Sequence, residues 1–268
     1  AALGADRSYI FEHHPHPETG KMVLSQRWEW VAEGVAPEID NPALQNIPLA
    51  ETIPSWAKTL IQGQTIAGAV KNFPEEEQAF LLPQGIKSIL LVPIFVNEHF
   101  WGLVGFDDCH TERIWQNSVQ TALKAIAGTI GNAIARRRAE NQITLLADRL
   151  QEAQRMARIG NWELDLLKNK IYWSEEVFRI FEIDTKKFDN SYEGFLALVH
   201  PGDRRSVEEA YNNHLNNRQP YDLVHRIVLA DGRIKYVQEH CQTIYGDDGT
   251  PLMSEGTIQD ITPQREAE

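Results

Sequence analysis

Two adjacent residues, Cys109 and His110, have side chains that could do chemistry. A thiol beside an imidazole could be a nucleophile with its general base, half of a metal site, or the anchor of a light-absorbing pigment. Adjacency in sequence does not favour a nucleophile with its base, because neighbouring side chains on a strand point in different directions. We expect Asp107 and Asp108 to leave a sheet, Cys109 to be a half-buried thiol at the strand end, and a helix to start at Thr111. A thiol near a helix N-terminus would have a lowered pKa.

Three histidines lie close together in the segment EHHPHPE, at His13, His14 and His16. Imidazole is a good ligand for zinc and other transition metals, so these residues are the candidate metal ligands of the chain. No cysteine or paired carboxylate near them completes a four-ligand set. We therefore expect the solvated end of a strand and no metal.

The composition excludes several classes of protein. The chain has 268 residues, of which 42% are hydrophobic and 24% charged, which predicts a globular protein of two domains. A net charge of −12 argues against nucleic acid as a partner. Only Cys109 and Cys241 are present, so we expect a reducing, cytoplasmic location and no disulfide framework. The longest apolar run, Ile89 to Val96, is too short to insert in a membrane.

The first part of the chain alternates between strand and helix patterns. RSYIFEHH and KMVLSQRWEW read as strands around the turn PHPETG, and KSILLVPIFV and HFWGLVGFDD read as a hairpin around Asn97-Glu98. PSWAKTLIQGQ and PEEEQAFLLPQG each begin with proline and read as helices. These elements predict an α+β domain.

A long helix is predicted next, from about Thr111 to Arg158. Its apolar residues follow four- and three-residue spacing, with a slip of phase near Arg136 to Arg138, typical of a coiled-coil seam with one register break. We expect the first half to pack on its own domain and the second half to pair with another copy of the chain. The seam residues are Val119, Leu123, Ile126, Ile130 and Ala133, then Ala139, Ile143, Leu146, Leu150, Ala153 and Ala157.

The last part predicts a second α+β domain. Short strands in NWELDLL and KIYWS precede a helix capped by Ser174 and a second helix after Asp203. Three further strands are joined by Asp231-Gly232 and by GDDG. The predicted fold class is thus α+β in two domains, each a central antiparallel sheet with flanking helices. The predicted boundaries are 1–138, a helical linker at 139–159, and 160–268.

Ordered motifs in both halves resemble known families. The second half carries W-E-x-D at Trp162, an HPxDR turn at His200, and a G-T-x-x-D-I-T end from Gly256, and it resembles a PAS domain. The first half carries GADRSYIF from Gly4, GIKSILLVPIFV and FWGLVGFDD, and it resembles a GAF domain. Relative to that family, the helix before Gly4 is missing.

The resemblance implies a sensory input and dimerisation module of a bacterial signalling protein. Such tandem domains usually precede a histidine kinase, and the alternative output is a cyclic-dinucleotide synthase. We expect the chain to be a fragment without catalytic motifs whose output domain is cut off. We also expect a homodimer through the long helix.

The resemblance also implies where to look for sites. Asp260, Thr262 and Arg226 are the candidate signal-relay residues, with Asp260 and Arg226 a possible cross-strand pair. His214 and His225 are the candidates for a haem ligand. A bilin would need a thiol where this chain has Glu76, which leaves only a non-covalent bilin, and a thiol-dependent enzyme would need further cysteines. The expected cofactor is therefore none.

Overall fold

A computed structural model describes residues 4–267 of the chain. Two compact units are found, residues 1–142 and 143–268. Within the described residues, each unit is built on one five-stranded antiparallel sheet with helices beside it. The predicted fold class is therefore confirmed. The predicted linker boundaries stay a prediction, and the helix missing before Gly4 concerns residues outside the described range.

The sheet of the first unit has the order β2-β1-β5-β4-β3. Both predicted hairpins are confirmed, and Asn97 and Glu98 have the positive φ angles of 49° and 66° that a tight two-residue turn requires. The edge strand β3 is missing from the sequence prediction, because IAGA is short and lacks alternation. The strands are β1 (Arg7–Pro15), β2 (Met22–Val31), β3 (Ile66–Ala69), β4 (Ser88–Val96) and β5 (His99–Asp108).

Three short helices cover one face of this sheet, and the long helix covers the other. Strand β4 is buried on both faces, which explains its continuous apolar run. Ile89 and Leu91 face the short helices, whereas Leu90, Val92 and Ile94 face the long helix. The helices are α1 (Leu49–Thr52), α2 (Pro54–Ile61), α3 (Glu75–Leu81) and α4 (Asn117–Ala157).

Helix α4 begins at Asn117, six residues after the predicted start. The reason is Asp108, whose carboxylate accepts the backbone N–H of Thr111 at 2.7 Å and holds the chain in a turn. The packing face of the first half only partly matches the predicted seam. Leu123 is buried as predicted, but Ala127 and Gly131 are buried too, whereas Ile126 and Ala133 are exposed. At Gly131 a Cβ atom would lie 2.0 Å from the carbonyl oxygen of Phe95, so the helix touches the hairpin backbone there.

The sheet of the second unit has the order β7-β6-β10-β9-β8. All five predicted strands are confirmed, but helix α6 was not predicted. Ser174 precedes α5 as expected, yet its hydroxyl accepts the N–H of Asn161 on β6 and does not cap the helix. The elements are β6 (Ile159–Asp165), β7 (Lys170–Trp173), α5 (Glu175–Phe181), α6 (Tyr192–Leu198), α7 (Arg204–Asn217), β8 (Tyr221–Val228), β9 (Ile234–Tyr245), β10 (Pro251–Asp260) and α8 (Thr262–Glu266).

Candidate functional site

The first unit contains a cavity between its sheet and helices α1 to α3. Its volume is about 50 Å³, counted as the space open to the centre of a water molecule. That is more space than a single water molecule needs. Most of the wall is apolar and includes Leu24, Leu44, Ile47, Leu49, Ile53 and Leu103.

The register of the sheet places polar side chains together in this cavity. Arg7 on β1 lies opposite Asp107 on β5, and Tyr9 lies opposite Glu29 on β2. At Gly105 a Cβ atom would come within 2.0 Å of the Tyr9 ring. Because Gly105 has no side chain, the ring extends over β5 and its hydroxyl donates to Asp107 at 2.8 Å.

Arg7 and Asp107 form a buried ion pair. The guanidinium and the carboxylate are 3.3 Å apart, and both residues are 1% exposed. Arg7 also donates to the carbonyl oxygen of Gln84 at 2.8 Å and lies 3.6 Å from the carboxylate of Glu38. Burial raises the pKa of Asp107 to about 7, although the positive charge of Arg7 opposes that rise. The prediction that Asp107 and Asp108 leave the sheet is therefore wrong, because both are buried in β5.

Four buried polar atoms of residues that line this cavity have no hydrogen-bond partner among the described residues. They are Nε of Arg7, Nε1 of Trp56, Oε1 of Gln26 and Oε1 of Glu29. Arg7, Gln26 and Trp56 are 1%, 4% and 5% exposed. A buried polar atom without a partner costs about 1–3 kcal/mol, so two donors and two acceptors left open at one cavity are unusual. No sequence motif marks this set, because its members come from β1, β2 and α2 and meet only in the folded domain.

The Cys109-His110 pair has a structural role. Asp6 accepts the backbone N–H of Cys109 at 2.7 Å and contacts Nδ1 of His110 at 2.7 Å, which ties the start of β1 to the end of β5. Arg113 donates to the carbonyl oxygen of Gly4 at 2.6 Å and adds a second tie. Burial raises the pKa of the Cys109 thiol, so the lowered pKa expected at a helix start is wrong. The imidazole contacts Asp6, and within residues 4–267 it makes no hydrogen bond to the Cys109 thiol.

The three candidate metal ligands are not brought together. His14 contacts the Ser25 hydroxyl through Nε2 at 2.8 Å, and Nδ1 of His16 accepts the N–H of Glu18 at 3.1 Å. The ring of His13 lies against Phe100 with 5.3 Å between centroids. Residues 4–267 contain no group of three His, Cys, Asp or Glu side chains placed to hold a metal ion.

The two haem candidates are buried in the second unit but differ in their contacts. His214 uses both ring nitrogens, with Nδ1 2.6 Å from the carbonyl of Gln219 and Nε2 3.0 Å from the hydroxyl of Thr243. His225 has both ring nitrogens without a partner, and burial lowers its pKa to about 4. The adjacent cavity has a volume of about 20 Å³, so side chains would have to move to admit a porphyrin. Haem ligation by either residue stays a prediction.

Glu239 lies in the cavity of the second unit, 4.0 Å from His225. Its carboxyl accepts the hydroxyl of Tyr221 at 2.9 Å. Burial raises the pKa of Glu239 to about 7. The unit thus buries one acid and one base side by side, each of which is more easily neutral than usual.

The relay candidates form one contact group and one separate pair. Asp260 accepts the backbone N–H of Thr262 at 2.9 Å, and the Thr262 hydroxyl accepts the N–H of Tyr236 at 2.9 Å. Arg226 instead pairs with Asp203 at 2.6 Å. The expected Asp260–Arg226 pair is wrong, because β9 lies between β8 and β10 in the sheet.

The end of helix α4 is attached to the same corner of the second unit. The carbonyl of Ala157 accepts the side-chain amide of Gln259 at 3.0 Å, and the carbonyl of Arg158 accepts the N–H of Asp260 at 3.0 Å. Helix α8 starts two residues later, at Thr262. The chain therefore enters and leaves this unit at neighbouring backbone positions.

The middle of helix α4 is exposed on all sides. Every residue from 136 to 151 is exposed, among them Ile143, Leu146 and Leu150 at 67%, 55% and 60%. These three residues lie on one helix face at three- and four-residue spacing. No helix in residues 4–267 has the length and apolar character needed to cross a membrane.

Comparison with known proteins finds a family model that matches each unit. A GAF domain family model matches residues 1–134, and a PAS fold family model matches residues 170–258. The methanogenesis regulatory histidine kinase FilI of Methanothrix harundinacea is 43% identical over 162 residues, 60% of this chain. The probable diguanylate cyclase DgcE of Escherichia coli K12 is 27% identical over 47% of the chain, and the sensor protein FixL of Bradyrhizobium diazoefficiens 24% over 41%. The chain spans 18%, 11% and 22% of those three proteins.

Proposed function

Since this chain belongs to the GAF domain family and continues into a PAS fold, we propose that it works as a homodimeric input region that signals to a histidine kinase. It is a GAF–PAS sensory region similar to those of histidine kinase sensors. The proposal adds a cytoplasmic location, the absence of a catalytic step in this region, and a dimer formed by the long helix. Similarity to a diguanylate cyclase supports a cyclic-dinucleotide synthase as the second candidate output.

The observation that carries the dimer is the apolar face at Ile143, Leu146 and Leu150. All three side chains are more than half exposed, although they belong to a regular helix. Burying a leucine or isoleucine side chain yields about 1.5–3 kcal/mol. A second copy of the same helix supplies a matching face, because seam residues at this spacing pack knobs-into-holes.

The proposed relay runs from this helix into the end of the PAS sheet. The carbonyls of Ala157 and Arg158 bind Gln259 and Asp260, and Asp260 in turn holds the first turn of α8 through Thr262. A change in the packing of α4 would therefore be felt where α8 begins. Two-state coiled coils are a known way to transmit such changes.

Disulfide cross-linking tests the pairing. Single cysteines at positions 143, 146 and 150, in a chain with Cys109→Ser and Cys241→Ser, are expected to form inter-chain disulfides under mild oxidation. Asp148 and Glu152 lie on the opposite face of α4, so cysteines there are the matched controls and should cross-link poorly. Absence of an inter-chain product at all three seam positions would refute the dimer interface.

A charge in the seam should also break the dimer. Leu146→Glu places two carboxylates in the interface, one from each chain, and removes the apolar burial of both leucines. We expect the dimer dissociation constant to rise by at least about 100-fold, as measured by sedimentation equilibrium. Asp148→Asn, on the opposite face, should leave the constant unchanged.

A further inference from the structure

The residues that line the cavity of the GAF unit include both hydrogen-bond donors and acceptors without a partner. Arg7 Nε and Trp56 Nε1 can only donate, whereas Gln26 Oε1 and Glu29 Oε1 are placed to accept. Arg7, Gln26 and Trp56 are each more than nine-tenths buried, so bulk water does not satisfy them. A molecule that satisfies all four atoms must carry both an acceptor and a donor.

The acceptor side of the cavity is fixed in place. Glu29 Oε2 accepts the backbone N–H groups of Glu38 and Ile39 at 2.8 and 2.9 Å, which leaves Oε1 as the oxygen without a partner. Gln26 lies on the same strand, opposite Phe11 of β1. This pair is the next core-facing pair along the sheet after Glu29 and Tyr9. Both oxygens therefore belong to rigid strand positions, as a preorganised binding site requires.

The charges at the cavity favour a positive donor. The cavity is lined by one guanidinium, that of Arg7, and by three carboxyl groups, those of Glu29, Glu38 and Asp107. Even with Asp107 neutral, the acidic groups exceed the basic one. An ammonium group bonded to Glu29 would correct this excess and form a charge-assisted hydrogen bond, which is stronger than a neutral one.

We propose that this cavity binds a small ammonium compound that also carries an oxygen acceptor, such as a small amino acid or its amide. The ammonium group bonds to Glu29 and Gln26, and the oxygen accepts from Arg7 and Trp56. An apolar part of the molecule lies against Leu24, Ile47 and Leu103. The proposal rests on the proposed function, because it takes the GAF unit as a sensory domain. Ligand binding is measured separately from dimerisation, so failure of one does not imply failure of the other.

Four probes of similar size test the chemistry by isothermal titration of the whole chain. L-alanine and L-alaninamide carry an ammonium group and an oxygen acceptor. Lactamide replaces the ammonium group with a hydroxyl, and 3-methylbutan-2-amine lacks the oxygen. We expect L-alanine or L-alaninamide to bind at least about tenfold more tightly than lactamide and 3-methylbutan-2-amine, since each of those two lacks a charge-assisted or paired hydrogen bond. Binding of neither ammonium-and-oxygen probe, or equal binding of all four, would overturn the proposal.

Substitutions then locate the site. Glu29→Gln keeps the shape of the side chain but can turn a donor toward the ligand, and we expect it to weaken binding about 10- to 100-fold. Trp56→Phe removes the indole donor and should weaken binding by a smaller factor. Glu33→Gln and Trp28→Phe are the matched controls, because both side chains are exposed. If the controls weaken binding as much as the cavity variants, the molecule binds elsewhere and the proposal fails.

Gln26→Glu gives a second arm that is measured as a ratio of two affinities, so a loss of folded protein affects both measurements alike. It adds an acidic acceptor beside Glu29, so the affinity for L-alaninamide should rise relative to lactamide. An unchanged ratio of the two affinities would contradict an ammonium group at this position. The cross-linking result at α4 does not depend on any of these measurements.

Discussion

Replacing Arg7 with methionine is expected to destabilise the GAF domain by up to about 3–5 kcal/mol, the usual cost of leaving a buried charge without its partner. The loss should shrink as the pH falls through 7, because Asp107 then takes up a proton and becomes neutral. The methionine fills much of the space of the arginine stem but leaves Asp107 in an apolar setting. Asp107 is 1% exposed and has no other cation within the contacts described. The carbonyl of Gln84 also loses its donor.

Hydrogen–deuterium exchange of peptides from β1 and β5 measures this loss in the whole chain. Asp107→Asn in the same chain as Arg7→Met should recover a large part of it, because the amide carries no charge to bury. Arg27→Met is the control, since Arg27 makes an exposed pair with Glu12 at 2.9 Å on the same sheet and should cost less than about 1 kcal/mol. Equal losses for Arg7 and Arg27 would show that the buried pair is not the source.

Glu239→Gln is expected to stabilise the PAS domain at neutral pH but not in acid. The pKa of Glu239 is about 7 in the folded protein and 4.5 in the unfolded chain. Between those values the folded state holds the extra proton, so wild-type stability falls as pH rises through this window. The full difference is about 3 kcal/mol, since one pKa unit corresponds to about 1.4 kcal/mol. Glutamine keeps an acceptor for Tyr221 and has no proton to lose.

The neighbouring His225 changes the stability of the folded domain with pH in the opposite direction to Glu239. Its pKa is about 4 when folded and 6.5 when unfolded, so its contribution to stability is lost as pH falls through that range. In the wild type the effects of Glu239 and His225 on the pH dependence of stability partly cancel. In Glu239→Gln only the effect of His225 remains. Exchange of β8 and β9 peptides at pH 4.5 and pH 7, corrected for intrinsic rates, should show the stability advantage of Glu239→Gln growing with pH. Glu255→Gln, an exposed residue of β10, should show no such growth.

Much of the fold was predictable because local patterns decide it. Alternation and turn residues located nine of the ten strands found in residues 4–267. Positive φ angles at Asn97 and Gly232 confirm two predicted hairpins. Strand β3 was missed because IAGA has no alternation of apolar and polar side chains. The start of α4 was misplaced because a single side chain, Asp108, holds the preceding turn.

The candidate site was less predictable, because it depends on register between distant strands. Arg7 meets Asp107 across one hundred residues of sequence, and Trp56 joins them from a helix. A signal was nevertheless present. Arg7, Tyr9 and Phe11 share one strand face, so the sequence places a cation among core residues, and such a cation requires a buried carboxylate. The same reasoning fails for Arg226, whose partner Asp203 lies at a helix start and not on a strand.

The ends of both sheets are joined in the same way. Asp6 and Gly4 bind the segment that follows β5, and Gln259 and Asp260 bind the end of the helix that precedes β6. Each domain is thus a closed loop of chain with its two ends clasped. In a domain of this kind the chain enters and leaves at one place, so a domain inserted or deleted there changes the distance between the flanking chain segments little. Input and transmission can therefore evolve separately.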